Sequence, residues 1–314
     1  MTEIIDIHAH LGDIMFPNGG ELIEKKNVTF QKRVSVGIIT EYLTVPDWRV
    51  YRQLRMLLTK SKAFEKWFEG RIHEEGYYRN LLGTRENLRR EMDRYGIVKA
   101  ALLPIYPNVT FADLHAASQK DNTLIPFTGA DFNNLDGIEE KFAKDVAAGA
   151  KGLKIHPILQ CAAIDGDDTY RVVEAFAPYD LPILFHTGYS NYYVDPADYH
   201  LQRTDYGSVQ ELPDLFAAFP NVKFIAGHAA LAQAWELMPL IERFNNVWVD
   251  VSFQGYPAIR DLIATLGPEK VMYASDWPWG AIWPAIRQVK RACRGDKGLE
   301  RRLFYDNAAE LLKL

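Results

Sequence analysis

Eight short runs of aliphatic and β-branched residues recur along this chain, most of them separated by helix-patterned segments, and that alternation builds a parallel sheet from βα units. The runs are Ile4 to Ile7, Val98 to Ile105, Leu124 to Ala130, Gly152 to Ile155, Pro182 to Phe185, Val222 to Ala226, Val247 to Val251 and Val271 to Ala274. Eight is the number of staves in a closed (β/α)8 barrel, so an α/β TIM barrel is the predicted fold. The 314 residues fit one such domain, because α/β barrels routinely exceed about 250 residues as a single unit.

Helix signals fall between the runs. Thr84 precedes Leu88, Met92 and Tyr95 at helical spacing, and Gly96 ends the pattern. Asp136 is the expected cap of a helix through Ile138, Phe142 and Val146, and Asp167 or Asp168 that of the helix closing before Pro178. Further patterns span Val209 to Phe219, Ala232 to Phe244, Pro257 to Leu266, Ala285 to Arg294 and Leu299 to Leu312.

One connection breaks the rhythm: residues 12–95, between the first two runs, far exceed an ordinary βα loop. This insertion carries Trp48, Tyr51, Phe64, Trp67, Phe68, Tyr77 and Tyr78, and is expected to be a mostly helical cap over the barrel mouth. A peripheral dimerisation arm is the competing reading. No repeat or flexible linker divides the chain.

A formal net charge of -5 argues against a nucleic-acid surface, which wants a basic stripe. No apolar run approaches the roughly 18 residues needed to span a bilayer, so no membrane partner is expected. With only Cys161 and Cys293, disulfides are not the design and a cytoplasmic location is the expectation. Cys161 is read as inert packing, since a reactive thiolate needs an activating neighbour. A small molecule is the expected partner, and a homodimer the expected assembly.

Histidine is scarce, eight residues in the chain, yet it recurs at the ends of the runs. His8 and His10 close the first run and share a strand face; His156, His186 and His228 follow the fourth, fifth and sixth, and Asp276 follows the eighth. In a barrel the carboxyl ends of all staves converge on one rim, where chemistry sits. His8, His10, His186 and Asp276 can there surround one divalent ion, Zn²⁺ as the first expectation and Mn²⁺ as the alternative. Such an ion lowers the pKa of a bound water toward about 7, and His228 is then free to act as general base or acid. Other roles stay open: His228 as a fifth ligand, Asp276 as a helix cap, and Asp250 as a carboxylate orienting a ligand histidine, although a strand-end salt bridge is preferred for Asp250.

Lys154 shares a face with His156, and a lysine aimed into a barrel mouth is costly unless paired or modified. It is read as an ammonium that binds a carboxylate or a developing anion, in preference to a carbamate bridging two metals; an ion pair with a barrel carboxylate remains a structural alternative. The loop Tyr189-Ser190-Asn191-Tyr192-Tyr193, continuing to Tyr199, Arg203 and Tyr206, offers aromatic walls and one guanidinium for a ring-derived acid, or an aromatic contact between copies.

Asp6-Ile7-His8-Ala9-His10, Lys151-Gly152-Leu153-Lys154-Ile155-His156-Pro157 with Gln160, Phe185-His186-Thr187-Gly188, Gly227-His228-Ala229 and Ala274-Ser275-Asp276-Trp277-Pro278 together resemble the amidohydrolase superfamily. Within it they are most similar to the branch holding aminocarboxymuconate-semialdehyde decarboxylase, resorcylate-type decarboxylases and ring-fission-product hydrolases. The resemblance spans essentially the whole chain in order. It implies a (β/α)8 barrel with one divalent ion, usually zinc, on His8, His10, His186 and Asp276. It also implies His228 as base or proton donor, paired with Asp276 in catalysis. Lys154, His156, Gln160, Tyr189, Arg203 and Trp277 are the expected substrate-binding residues. Hydrolysis of an ester, lactone, amide or C–C bond is the expected reaction, because hydrolases dominate the superfamily. Decarboxylation of an aromatic or muconate-type acid is the alternative, and a non-catalytic metal-binding scaffold a remote one.

Overall fold

The computed structural model describes residues 3–29, 75–193 and 195–314. Its strands are β1 (Ile4–Ala9), β2 (Ile97–Leu102), β3 (Leu124–Pro126), β4 (Thr128–Gly129), β5 (Leu153–Ile155), β6 (Ile183–His186), β7 (Phe224–Gly227), β8 (Val247–Asp250) and β9 (Val271–Met272). Among the described residues every pairing between these strands is parallel, in the orders β1-β2-β3 and β4-β5-β6-β7-β8-β9.

The two sheets are one barrel. β3 and β4 are halves of a single stave interrupted at Phe127, whose N–H donates to the Leu102 carbonyl at 2.9 Å, while Thr128 N–H turns the other way to Gly152 at 2.8 Å. The seam closes between the first and last staves: Asp276 N–H donates to the His8 carbonyl at 2.9 Å and His10 N–H to the Trp277 carbonyl at 2.7 Å. Eight staves result. β1 and β6 are buried along their whole lengths, as staves covered on both faces must be, which is why β6 reads as an unbroken apolar run until His186 and β1 is broken before His8 only by Asp6.

Helices α1 (Arg85–Tyr95), α2 (Phe111–Lys120), α3 (Ile138–Ala147) and α4 (Asp167–Phe176) follow in order. Thr84 caps α1 by accepting from Asn87 N–H, and Gly96 ends it at a left-handed φ of 75°. Two expected caps fall elsewhere: Gly137 and Gly166, not Asp136 or Asp167, precede α3 and α4. The aspartates of α4 sit in its first turn, where they complement the helix dipole. The remaining helices are α5 (Leu212–Ala218), α6 (Ala234–Ile241), α7 (Tyr256–Leu266), α8 (Ile282–Cys293), α9 (Lys297–Arg301) and α10 (Asn307–Leu312). Among the described residues no helix is long and apolar enough to cross a membrane.

Of the insertion, Trp48, Tyr51, Phe64, Trp67 and Phe68 lie outside the described residues. Its two ends meet at the rim: Gly12 N–H donates to the Gly83 carbonyl at 2.7 Å, and Asn80 Nδ2 to Asp13 Oδ1 at 2.5 Å. Residues 75–80 are helical, and Gly76 faces the Trp279 ring so closely that a Cβ there would lie 2.7 Å from it.

Candidate metal centre

Five strand-end histidines, Lys154 and Asp276 are brought together at one end of the barrel, all buried. His8 ring contacts run to His10 (5.2 Å between centroids) and His228 (4.6 Å), and His186 contacts His228 (4.9 Å) and stacks on His156 (4.1 Å).

Their hydrogen bonds fix which ring nitrogens carry protons. His8 Nδ1–H donates to Asp250 Oδ2 at 2.8 Å, and His10 Nδ1–H to the Leu103 carbonyl at 2.8 Å. Both acceptors lack protons to give, so in the neutral ring Nε2 is the nitrogen that carries the lone pair. These two nitrogens face each other at 3.2 Å, and Asp276 Oδ1 stands 3.3 Å from each. That oxygen is buried without a hydrogen-bond partner. With the rings neutral, these are three electron-pair donors in mutual contact, with the Lys154 ammonium 3.4 Å from His8 Nε2, and a cation among them would relieve their repulsion. The spacing suits one, since tetrahedral ligands about 2.0–2.1 Å from an ion stand roughly 3.3 Å apart.

Two more histidines point the same way. His186 Nε2–H donates to the Gly188 carbonyl at 3.0 Å, which leaves Nδ1 bare. His228 Nδ1–H donates to Ser252 Oγ at 2.7 Å, and one donor atom each of His8, His228 and Asp276 lie within 4.8 Å of one another. Burial holds His8, His156, His186 and His228 well below the ordinary imidazole range, His186 at about 3, with the Lys154 charge adding to it. All four are therefore neutral, electron-donating rings at pH 7. Burial pushes the Asp276 carboxyl up, against the lowering contact with His10.

Asp250 does not form the strand-end salt bridge expected of it; it orients His8 and, through Oδ1, takes the Ser252 hydroxyl at 2.5 Å. Nor does Asp276 cap a helix with its side chain. The chain after β7 is bent to place His228: His228, Ala229, Ala230 and Leu231 have φ of 59°, 43°, 65° and 53°. Non-glycine residues pay about 1–2 kcal/mol each in that region. Gln254 Nε2 holds the bend by donating to the carbonyls of His228 (2.7 Å) and Leu231 (2.9 Å).

Lys154 is fully buried, with Nζ 3.4 Å from His8 Nε2, and burial lowers its pKa to about 8. Among the described residues no carboxylate lies within 4 Å of it, so the ion-paired alternative is not what the structure has. His156 Nε2 meets the Tyr192 hydroxyl at 3.0 Å, and that hydroxyl stands 3.5 Å from His186 Nδ1. Tyr192 in turn packs edge-on against Trp279. Gln160 clamps the loop, accepting from His156 N–H at 2.7 Å and donating to the Ala130 carbonyl at 2.8 Å. Trp277 is buried at the seam, its N–H on Ser275 Oγ.

Two expected substrate contacts stand apart. The Arg203 guanidinium is half-exposed, paired with Asp205 at 2.8 Å and laid over the Tyr206 ring. Tyr189 is 52% exposed. Exposure suits both because a charge or phenol costs least where water reaches it. Cys161 is exposed rather than packed, and desolvation pushes its thiol up against the lowering charge of Arg203. Sequence reasoning missed Ser252, Gln254 and the specific part of Tyr192. The signal for the first two was Asp250-Val251-Ser252-Phe253-Gln254, the same alternation as His8 and His10.

The amidohydrolase family profile matches residues 5–314. No curated protein matches the sequence. Among solved structures the chain is similar to 5-carboxyvanillate decarboxylase from Novosphingobium aromaticivorans with bound manganese and 3-methoxy-4-hydroxy-5-nitrobenzoic acid (18% identity, TM-score 0.64, 100% of this chain and 97% of that one). It is similar to 2,6-dihydroxybenzoate decarboxylase from Rhizobium (14%, 0.64, 100% and 99%). A probable 2-pyrone-4,6-dicarboxylic acid hydrolase from Acinetobacter baumannii shares the fold as well (13%, 0.59, 100% and 100%).

Proposed function

We propose that this chain, which belongs to the amidohydrolase family, is a divalent-metal-dependent, non-oxidative decarboxylase of a hydroxylated aromatic acid. His8, His10, His186 and Asp276 are the residues that would hold the ion, Zn²⁺ or Mn²⁺. When bound, the ion supplies Lewis acidity to oxygens of the substrate.

The observation that carries this reading is Lys154: a buried ammonium beside the lone-pair cluster with no carboxylate of the described chain within 4 Å. A buried cation is costly unless an anion meets it; Asp276 and Asp250 favour its charge only from beyond 4 Å, and an anionic substrate would meet it directly. Lys154 receives the carboxylate. The Tyr192 hydroxyl accepts from His156 Nε2–H and so has its own proton to give a substrate oxygen. His228, bare at Nε2, accepts the proton of the ring hydroxyl, which raises electron density in the ring. Asp276 takes up the H⁺ that the reaction consumes and delivers it to the ring carbon that bears the carboxylate. The C–C bond then breaks, its electron pair stays with the ring, and CO₂ departs: ArCO₂⁻ and H⁺ give ArH and CO₂.

Sequence reasoning put hydrolysis first. The decarboxylases among the structural relatives and the anion-receiving lysine favour decarboxylation. The test offers 2,6-dihydroxybenzoate, 5-carboxyvanillate and 2-pyrone-4,6-dicarboxylate to the zinc- and manganese-loaded protein. CO₂ release with loss of the acid from a hydroxybenzoate is expected; ring opening of the pyrone without CO₂ would overturn the reading in favour of a hydrolase.

A further inference from the structure

The bond between His228 and Ser252 is directional, and the direction is set two groups away. A serine hydroxyl can donate or accept. Here Asp250 Oδ1, an acceptor only when ionised, lies 2.5 Å from Ser252 Oγ and also takes Ser252 N–H at 3.1 Å, so the hydroxyl proton is committed to the carboxylate. Ser252 Oγ is then left as an acceptor toward His228 Nδ1 at 2.7 Å. The other oxygen of the same carboxylate takes His8 Nδ1–H at 2.8 Å. One fully buried aspartate thus orients two rings from β1 and β7.

We infer that Ser252 is a positioning residue which, anchored by Asp250, holds His228 in the Nδ1–H tautomer and so presents an unprotonated Nε2 to the site. A neutral imidazole has one N–H; with it on Nδ1, Nε2 accepts a proton and does not donate one. The left-handed bend held by Gln254 fixes the backbone, so Ser252 is left to choose the tautomer. Without the hydroxyl, Nδ1 has no acceptor, and the Nε2–H form, which offers a donor where a base is needed, becomes competitive. The inference deepens the decarboxylase reading: the role of His228 in the reaction rests on it, whereas the tautomer does not.

The test is long-range ¹H–¹⁵N correlation on the full zinc-loaded chain labelled at histidine, with His228 identified by its loss in His228→Gln. A single Nδ1–H tautomer in the wild type is expected, a mixed or Nε2–H state in Ser252→Ala, and recovery in Ser252→Thr, which restores the hydroxyl. On 2,6-dihydroxybenzoate kcat should fall roughly 10- to 100-fold in Ser252→Ala with KM little changed. A wild-type His228 protonated on Nε2, or an Nδ1–H tautomer that persists in Ser252→Ala, overturns the inference. The first arm needs no Ser252 variant and so survives a Ser252→Ala protein that fails to fold. A wild type inert on every probe but Nδ1–H at His228 sinks the decarboxylase reading and leaves the positioning role standing.

Discussion

The two sides of the barrel mouth are built to different tolerances. On the β1, β8 and β9 side, His8, His10, Ser252 and Asp276 are tied by bonds of 2.5–2.9 Å to Asp250 and to backbone groups across the seam. On the β5 and β6 side, His156 and His186 stack on each other, and Tyr192 reaches His186 at 3.5 Å from a loop that also packs on Trp279. The first side has the rigidity an ion demands, since ligands must stay within a few tenths of an ångström. The second side supplies one candidate ligand, His186, held by the Gly188 carbonyl at 3.0 Å, and otherwise has slack at Tyr192, which suits a group that must close on a substrate and release its product.

Asp276→Asn should break the tight side most severely. It keeps the shape but removes the charge of a proposed ligand and the proposed proton donor, and turnover should fall about 10²- to 10⁴-fold with a near-native melting temperature. A variant with more than a tenth of wild-type activity on a hydroxybenzoate would remove Asp276 from the chemistry. Asp250→Ala comes next. It strips acceptors from His8 and Ser252, so metal affinity should drop roughly 10- to 100-fold by competition with a chelator. Stability should fall by about 1–3 kcal/mol for each donor left buried and unpaired.

Tyr192→Phe sharpens the comparison from the loose side. Loss of one hydroxyl should cost about 1 kcal/mol in substrate binding, a KM several-fold higher, while metal content stays the same. A lost metal would mean that the two sides are not separate. Arg203→Ala is expected to do least: its guanidinium already serves exposed Asp205, so kcat/KM should change less than about twofold.

Much of this was legible in the sequence because barrels concentrate chemistry at strand ends, and His8, His10, His156, His186, His228 and Asp276 each follow an apolar run. Strand count and the rim were readable for the same reason. Side-chain commitments were not. Arg203 looked like a substrate clamp, but whether a guanidinium turns inward depends on a neighbour, Asp205, two residues on. Asp250 and Ser252 reach His8 and His228 across more than twenty residues of chain, a contact no local pattern encodes. Phe127, in the middle of one apolar run, hides the switch of hydrogen-bonding partners that splits the third stave into β3 and β4.

The metal centre rests on the lone pairs of His8, His10 and Asp276. Its most direct test is zinc titration of chelator-stripped protein by calorimetry, with His8→Ala/His10→Ala alongside. One tight equivalent per chain in the wild type and none in the variant is the predicted result. Two equivalents would bring back a carbamylated Lys154 bridging a pair of ions, and no binding by the wild type would contradict the metal centre itself.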